Sequence, residues 1–455
     1  MKRATRIALF ALSFAGAAAV LWFRPWRSDP LLDVPSGLGP PAGRATGPSV
    51  VLVIGCSIRA DQVPPAGGHP LVTPFLATFA EEAAWFGDVI GVSPWTRPSI
   101  AALVSGRTPR SLGLEQEGPG PNHRRIPEDA TLLAERFRDL GYRTAGVSTN
   151  PNATASFGFA QGFERWSEGA IEAKVAGTDA VSRLFDLADA LPGPRFLQII
   201  LADAHEPFAE EPEEVRLFRK LPAASSDMAR YRVGLRHFDQ ALALLDRGLA
   251  DRGTAGDTWL VVVSDHGEGL AFPPGIGRGH GRSLAPPILE TLVAVWGPAV
   301  EPRRIGGLAS SLDVAPTVLG LAGLSDDAGP GFDLSPLVRT GLGDAPRSTV
   351  FAETTWARVD RAALYTPTRY CQRDFGEEVG SEPASRFAPG CCERRADPAC
   401  KRPQRDLELE ALLSAQREAG RAAAGSPVEA AVSAELAARV EAYGYQERDR
   451  AGEGK

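Results

Sequence analysis

The chain has 455 residues, 44% of them hydrophobic and 23% charged, with a net charge of −7. That length and balance fit a globular body of one large and one smaller domain, or two to three small ones, and the negative charge argues against a nucleic-acid partner. Forty-eight glycines and 38 prolines point to many loops.

Lys2, Arg3 and Arg6 precede an uncharged apolar stretch over residues 7–23. At about 17 residues it is at the short end for a membrane-spanning helix. Trp22 and Trp26 suit a membrane interface, and Arg24 and Arg27 flank it. Small residues at 15–19 could supply a cleavage site, but residues 20–23 stay apolar. Residues 1–27 therefore read as an uncleaved anchor with a cytoplasmic N-terminus, with a cleaved signal peptide as the alternative. Either way the body lies outside the cytoplasm, in the periplasm or at the cell surface, or is secreted. Residues 28–48 are rich in Pro and Gly and read as a linker.

The apolar run 50–54 predicts a buried strand. Thr73 and Pro74 predict the cap and first position of a helix with Phe75, Leu76, Phe79, Ala80 and Ala83 on its inner face. A second helix follows Pro98 and ends near Gly106. A third covers 129–141, with Leu132, Leu133, Phe137 and Leu140 at helical spacing. Strands are predicted at 144–148, 196–201, 260–263 and 292–296, and helices at 231–250 and 314–321. This alternation argues for an α/β fold over residues 49–343, with a mostly parallel sheet and helices on both faces. Residues 344–446 read as a smaller C-terminal subdomain with strands at 349–353 and 362–370 and helices at 406–423 and 431–443. Residues 447–455 read as a disordered tail.

Cysteine usage agrees with export. Four of the five cysteines, Cys371, Cys391, Cys392 and Cys400, cluster late in the chain. They read as two disulfides of open connectivity in which the adjacent Cys391 and Cys392 do not pair with each other. A zinc knuckle is the competing reading, and its spacing fits no common pattern. Cys56 is left over.

Ligands of open α/β sheets sit outside the carboxyl ends of the strands. Cys56, Asp203 with His205, and Asp265 with His266 each follow the end of a predicted strand. The run 260–263 stops at Ser264-Asp265-His266-Gly267, where Asp offers a hard oxygen, His a nitrogen, and Gly a sharp turn. His280 returns between Gly279 and Gly281, with Arg282 beside it. Thr96 lies just before a helix N-terminus, a place that favours an anion. A hydroxyl there, near a metal, is a candidate nucleophile. Taken singly, each of these residues is equally a helix cap or a polar turn, and the weight lies in the set.

These segments resemble the sulfatase branch of the alkaline phosphatase superfamily. Where the family has Asp-Thr-Leu-Arg-Ala-Asp, this chain has Cys56-Ser57-Ile58-Arg59-Ala60-Asp61. The nucleophile segment resembles Pro94-Trp95-Thr96-Arg97-Pro98-Ser99, continuing to Leu103-Val104-Ser105-Gly106. Similar family signatures are Gly158-Phe159-Ala160-Gln161-Gly162-Phe163, Asp203-Ala204-His205-Glu206-Pro207-Phe208, Ser264-Asp265-His266-Gly267-Glu268 and Gly279-His280-Gly281-Arg282-Ser283-Leu284. Asp313-Val314-Ala315-Pro316-Thr317 and Arg395-Ala396-Asp397-Pro398 also match.

The resemblance implies a large α/β domain with a smaller α+β subdomain, and a divalent metal centre. Thr96 falls on the nucleophile and Asp265 and His266 on metal ligands. His280 falls on a second metal or oxyanion position, and His205 on an oxyanion contact. Asp203 and Cys56 are further candidate ligands, and Arg97 a candidate contact for the non-bridging oxygens. The departures are Cys56 in place of a metal-binding Asp, Ile100 in place of Arg, and no Cys-x-Pro-x-Arg segment for formylglycine. Zinc is expected if Cys56 is a ligand; otherwise calcium, magnesium or manganese. The expected function is a metal-dependent hydrolase or transferase of sulfate or phosphate esters, acting on a small molecule, glycan or lipid headgroup. The alternative is an inactive binding or scaffold protein at the membrane. The loops 113–125 and 270–278 are expected to shape the pocket.

Overall fold

The computed structural model describes residues 31–115, 123–169, 174–208, 211–223, 225–324, 329–356, 359–375 and 390–440. The expected anchor or signal at 1–27, the start of the linker, part of the loop 113–125 and the tail 447–455 lie outside the described residues. Among the described residues no helix is long and apolar enough to cross a membrane.

The main sheet has eleven strands. In chain order they are β1 (Leu31–Val34), β2 (Ser49–Gly55), β3 (Ala84–Ile90), β4 (Arg143–Ser148), β5 (Arg165–Gly169), β6 (Arg195–Leu201) and β7 (Thr258–Ser264). After a two-stranded ribbon of β8 (Gly269–Leu270) and β9 (Arg278–Gly279) come β10 (Glu290–Thr291), β11 (Val293–Trp296), β12 (Arg303–Ser310) and β13 (Ala345–Pro346). The spatial order is β1-β5-β4-β6-β2-β7-β11-β3-β12-β13, with β10 pairing β3. The run β5-β4-β6-β2-β7 is parallel throughout, while β1, β10 and β11 run antiparallel to their neighbours.

The apolar runs have a two-faced burial. In β2, Val50, Leu52 and Ile54 enter one core while Val51 and Val53 enter the other. Strand β7 repeats this, with Val261 and Val263 on one face and Leu260 and Val262 on the other. Side chains alternate across a strand, so a strand covered on both faces needs apolar residues at every position. The 26-residue helix Ser226–Asp251 buries Tyr231, Leu235, Phe238, Leu242 and Leu245 on the second face.

Several expectations are corrected. The stretch read as a linker contributes β1, whose Leu31 is buried against the sheet. The third helix is shorter, Leu133–Asp139. Thr73 makes no side-chain cap; Asp239 of the long helix accepts from the N–H groups of Phe75 and Leu76 at 2.9 and 2.8 Å. The single strand expected at 362–370 is a hairpin, because Pro367 cannot extend a ladder. Its arms are β15 (Arg361–Tyr365) and β16 (Arg369–Asp374), flanked by β14 (Val350–Thr354) and β17 (Gly390–Glu393) in an antiparallel sheet. The disulfides are Cys371–Cys391 and Cys392–Cys400. Cys391 and Cys392 are neighbours on β17, so their side chains face opposite ways and take different partners.

This smaller sheet docks on the large one through buried ion pairs. Arg394, nearly inaccessible, donates to Glu290 at 2.8 Å and Asp88 at 3.2 Å. Arg110 chelates Glu353 of β14. Asp313, inside one family-like segment, pairs with Arg347 and caps the N–H of Phe332 at 2.8 Å. Asp397, in another, holds the N–H groups of Lys401 and Arg402. These two segments therefore build structure.

Candidate active site

The carboxyl ends of β2, β4, β6 and β7 lie side by side, and their loops bring the candidate residues together. After β7 the chain turns at Gly267, where a Cβ would sit 2.0 Å from the carbonyl oxygen of Pro287. This close approach excludes any larger residue. Just before it, Asp265 is fully buried. Its Oδ1 accepts from the N–H groups of Ser57 at 2.9 Å and His266 at 2.7 Å. Its Oδ2 has no hydrogen-bond partner and lies 3.4 Å from Nε2 of His266.

Nδ1 of His266 lies 2.8 Å from the carbonyl oxygen of Gly267 and can only donate to it. The lone pair is thereby left on Nε2. Burial lowers the pKa of this imidazole and keeps it neutral, although Asp265 pulls the other way. Oγ1 of Thr96 is 3.3 Å from the same Nε2. Thr96 is the first residue of the helix Thr96–Ser105, all of which is buried. Oγ of Ser99, one turn on, donates to the backbone oxygen of Asp265 at 2.6 Å, which fixes the helix end against the loop.

His280 reaches the same place from β9. Its Nδ1 is 3.0 Å from Oε2 of the buried Glu268, and its ring lies 4.4 Å from that of His266 and 5.0 Å from that of His205. Burial opposes its protonation, but the Glu268 carboxylate prevails and its pKa is raised. The loop is pinned where Gly281 donates to the Pro94 carbonyl at 2.9 Å and receives the Thr354 hydroxyl at 2.7 Å. His205 is fully buried, and its Nδ1 is 2.5 Å from the Glu206 carbonyl. Burial, reinforced by His280, holds its pKa well below the ordinary histidine value.

The other candidates are placed differently. Asp203 uses Oδ1 to accept from the N–H of Gly177 at 3.0 Å, capping the helix Gly177–Asp189. Arg97 donates to Oδ1 of Asn152 at 2.6 Å and to the Arg124 carbonyl at 3.1 Å, with its guanidinium 3.5 Å from the Phe157 ring centre. Arg59 is committed to Asp61 at 2.7 Å and to the Glu268 and Phe272 carbonyls. Cys56 is a free, fully buried thiol between Asp265 and Asn150. Burial first, and then the charge of Asp265, push its pKa far up. Ile100 is packed in the apolar core.

Cys56, Thr96, His205, Asp265, His266 and His280 are thus gathered, while Asp203 serves a helix end through Oδ1 and keeps a buried Oδ2 with no hydrogen-bond partner. Among the described residues, the one set of three His, Cys or carboxylate ligand atoms within 4.8 Å of one another is Glu211, Glu214 and His237, at the protein surface. The five candidate ligands do not close on one point in that sense. The part that does fit a cation is Asp265 and His266. A buried carboxylate oxygen with no donor, beside a nitrogen lone pair, leaves negative charge uncompensated.

Sequence reasoning passed over the roles of Glu268, Asn150, Asn152 and Lys174. Nζ of Lys174 donates to the carbonyls of His205 and Pro207 at 3.3 and 2.6 Å. The two asparagines carried a signal, since Asn150-Pro151-Asn152 follows the predicted strand 144–148.

A family model for sulfatases matches residues 48–324. Human arylsulfatase A is 26% identical over 388 residues, covering 73% of this chain and 74% of that protein. The low-salt glycan biosynthesis sulfotransferase Agl7 of Haloferax volcanii is 27% identical over 253 residues, covering 54% of this chain and 56% of that protein. The crystal structure of a protein in the alkaline phosphatase superfamily from Vibrio parahaemolyticus covers 85% of this chain and 90% of its own, at a TM-score of 0.60 and 17% identity. Its likeness carries the fold and nothing further. With the family model spanning more than half of the chain, and the site at the strand ends inside that span, the chain belongs to the sulfatase family.

Proposed function

We propose that the protein is a metal-dependent hydrolase or transferase of sulfate or phosphate esters with Thr96 as its nucleophile. The observation that carries this is Oγ1 of Thr96 at 3.3 Å from Nε2 of His266, beside the unpartnered Oδ2 of Asp265. A divalent ion would be held by Asp265, His266 and Thr96, with the Cys56 sulfur beside them; it would supply acidity to the hydroxyl and positive charge near the transferred group. Zinc suits a set that includes Cys56, and calcium, magnesium or manganese one that does not.

In this reading Thr96 gives up its hydroxyl proton to solvent and attacks the sulfur or phosphorus, and the bond to the leaving oxygen breaks. His280, oriented by Glu268, delivers the proton to that oxygen. Water or an acceptor alcohol then takes the group from Thr96, returning a proton to His280, and the Thr96 oxygen regains its proton from solvent. His205 faces the non-bridging oxygens, and Lys174 holds its loop. Arg97 shapes the site through Asn152. Threonine offers no route to formylglycine, which is why a direct alkoxide mechanism is favoured here. The substrate class is a small-molecule or glycan ester. The body works outside the cytoplasm, held there by residues 1–27 or released after their cleavage.

A second reading, an inactive binding protein, is motivated by the neutral thiol of Cys56 and the apolar Ile100 at positions where the family has charge. The discriminating experiment uses the purified full chain. Metal content is measured, and turnover of 4-nitrophenyl sulfate, 4-nitrophenyl phosphate and bis(4-nitrophenyl) phosphate is compared for wild type, Thr96→Ala and Asp265→Ala. A bound divalent ion lost in Asp265→Ala, with turnover lost in Thr96→Ala, supports the enzyme. No metal and no turnover in wild type leaves the binding protein.

A further inference from the structure

Asn150 lies in the turn after β4 and is about as buried as Asp265, at 1% exposure. Three of its four polar groups are fixed. Its N–H donates to the Ser148 hydroxyl at 3.2 Å. Its carbonyl accepts from the N–H of Ala153 at 3.0 Å. Its Oδ1 accepts from the N–H of Asn152 at 2.8 Å. That last bond also settles which end of the carboxamide is oxygen, because a backbone N–H cannot face an NH2 group. Nδ2, with two hydrogens to give, meets no nitrogen or oxygen acceptor and has the weakly accepting Cys56 sulfur beside it. The side chain bears on Cys56, whose thiol on its other side bears on Asp265.

Asn152 repeats the pattern. Its Oδ1 takes Nη2 of Arg97 at 2.6 Å, and its Nδ2 has no hydrogen-bond partner. The residue after the nucleophile thus orients Asn152, and Asn152 orients Asn150. A fully buried donor left unmade is rare and costly, and sites that keep one commonly fill it with a ligand. Neutral amides directed at a point where charge develops are what an oxyanion site requires.

We propose that the Nδ2 group of Asn150 donates to a non-bridging oxygen of the sulfuryl or phosphoryl group bound at Thr96, from the side where Cys56 lies. This rests on the ester-cleaving reading of the site, and it adds a preference. A donor without charge favours a singly charged group, a sulfate monoester or a phosphate diester, over a doubly charged phosphate monoester.

The test takes the full chain as wild type, Asn150→Ala and Asn150→Asp. Asn150→Asp keeps the shape and the acceptor for Asn152 but removes the donor. The first measurement is binding of inorganic sulfate by calorimetry, which needs no turnover. Binding at least tenfold weaker in both variants, with melting temperatures within a few degrees of wild type, is expected. Equal binding in wild type and Asn150→Asp, or no sulfate binding in wild type, overturns the proposal. The second is turnover of 4-nitrophenyl sulfate, expected to fall by roughly 100- to 1,000-fold in Asn150→Ala. A loss under threefold also overturns it. If wild type turns over no ester yet binds sulfate in an Asn150-dependent way, the enzymatic reading fails and the role of Asn150 as an oxyanion donor stands.

Discussion

On the β7 side of the site the polar groups are held by one another, save for Oδ2 of Asp265. Asp265 takes two backbone N–H groups, His266 is fixed by the Gly267 carbonyl, and His280 is fixed by Glu268. On the β2 and β4 side the groups are a neutral thiol and two carboxamides whose NH2 ends meet no nitrogen or oxygen acceptor. Both sides are buried, so the difference is not one of solvent. One side holds carboxylates and histidines, which in the proposed reading carry a cation, and the other is neutral. In a low-dielectric site that division sets how much net charge a bound group brings with it.

The largest expected effect lies where the two sides meet. Thr96→Ala is expected to reduce ester turnover on the order of 10,000-fold or more while leaving metal content unchanged, since the nucleophile cannot be replaced by its neighbours. Retention of a tenth of the activity would sink Thr96 as the attacking group. Next, Asp265→Ala removes the acceptor of two backbone N–H groups along with the unmatched oxygen. Loss of bound metal and a fall in melting temperature of several degrees are expected together, from about 1–3 kcal/mol per stranded buried donor. Metal analysis and calorimetry on one preparation separate the two effects.

Glu268→Gln leaves the charged side folded but loosens His280. A loss of about 10- to 100-fold in turnover is expected, the usual cost of removing a partner that orients a functional histidine. An unchanged rate would show that His280 needs no orienting. Cys56→Asp sharpens the comparison from the neutral side. It restores a hard ligand next to Asp265, and a rise of a few-fold in activity or a switch toward calcium or magnesium is expected, measured as rate against added metal. No change in either would make Cys56 a packing residue only.

The smallest effect lies outside the site, where Glu115 sits by Glu353, Arg110 and Thr355. Burial, then the charge of Glu353, push its pKa up to about 8. A carboxyl that holds its proton more tightly when folded stabilises most below its unfolded value near 4.5, and that contribution is lost as pH rises through about 8. Glu115→Gln is expected to flatten the fall in melting temperature between those two pH values. A wild-type melting temperature that rises across the same interval would contradict the assignment.

Much of this was legible in the chain itself. Apolar runs, broken only by Gln198 in β6, announced β2, β6 and β7, because a strand covered on both faces has no polar alternation to hide it. The residues just beyond those runs, Cys56, His205, Asp265 and His266, were therefore placed correctly at the strand ends. Strand β12 was missed because Gly306 and Gly307 interrupt its pattern, where the pairing to β3 shifts register between Ile305 and Leu308. Strand β1 was missed because four residues inside a Pro- and Gly-rich stretch give too short a signal.

Local sequence determined which elements exist and which residues end them, since hydrophobic period, turn chemistry and strand termination are properties of neighbours along the chain. Only the tertiary structure decided how these residues are used. Asp203 and Asp265 both follow strands and both keep an Oδ2 without a donor, yet Oδ1 of one caps the helix Gly177–Asp189 and Oδ1 of the other holds the N–H groups of Ser57 and His266. Cys391 and Cys392 find different partners because adjacent residues of a strand face opposite ways. Asn150, unremarked in the sequence, comes to lie beside Cys56 because β4, β6 and β2 lie in that order, an order set by long-range pairing that no local pattern encodes.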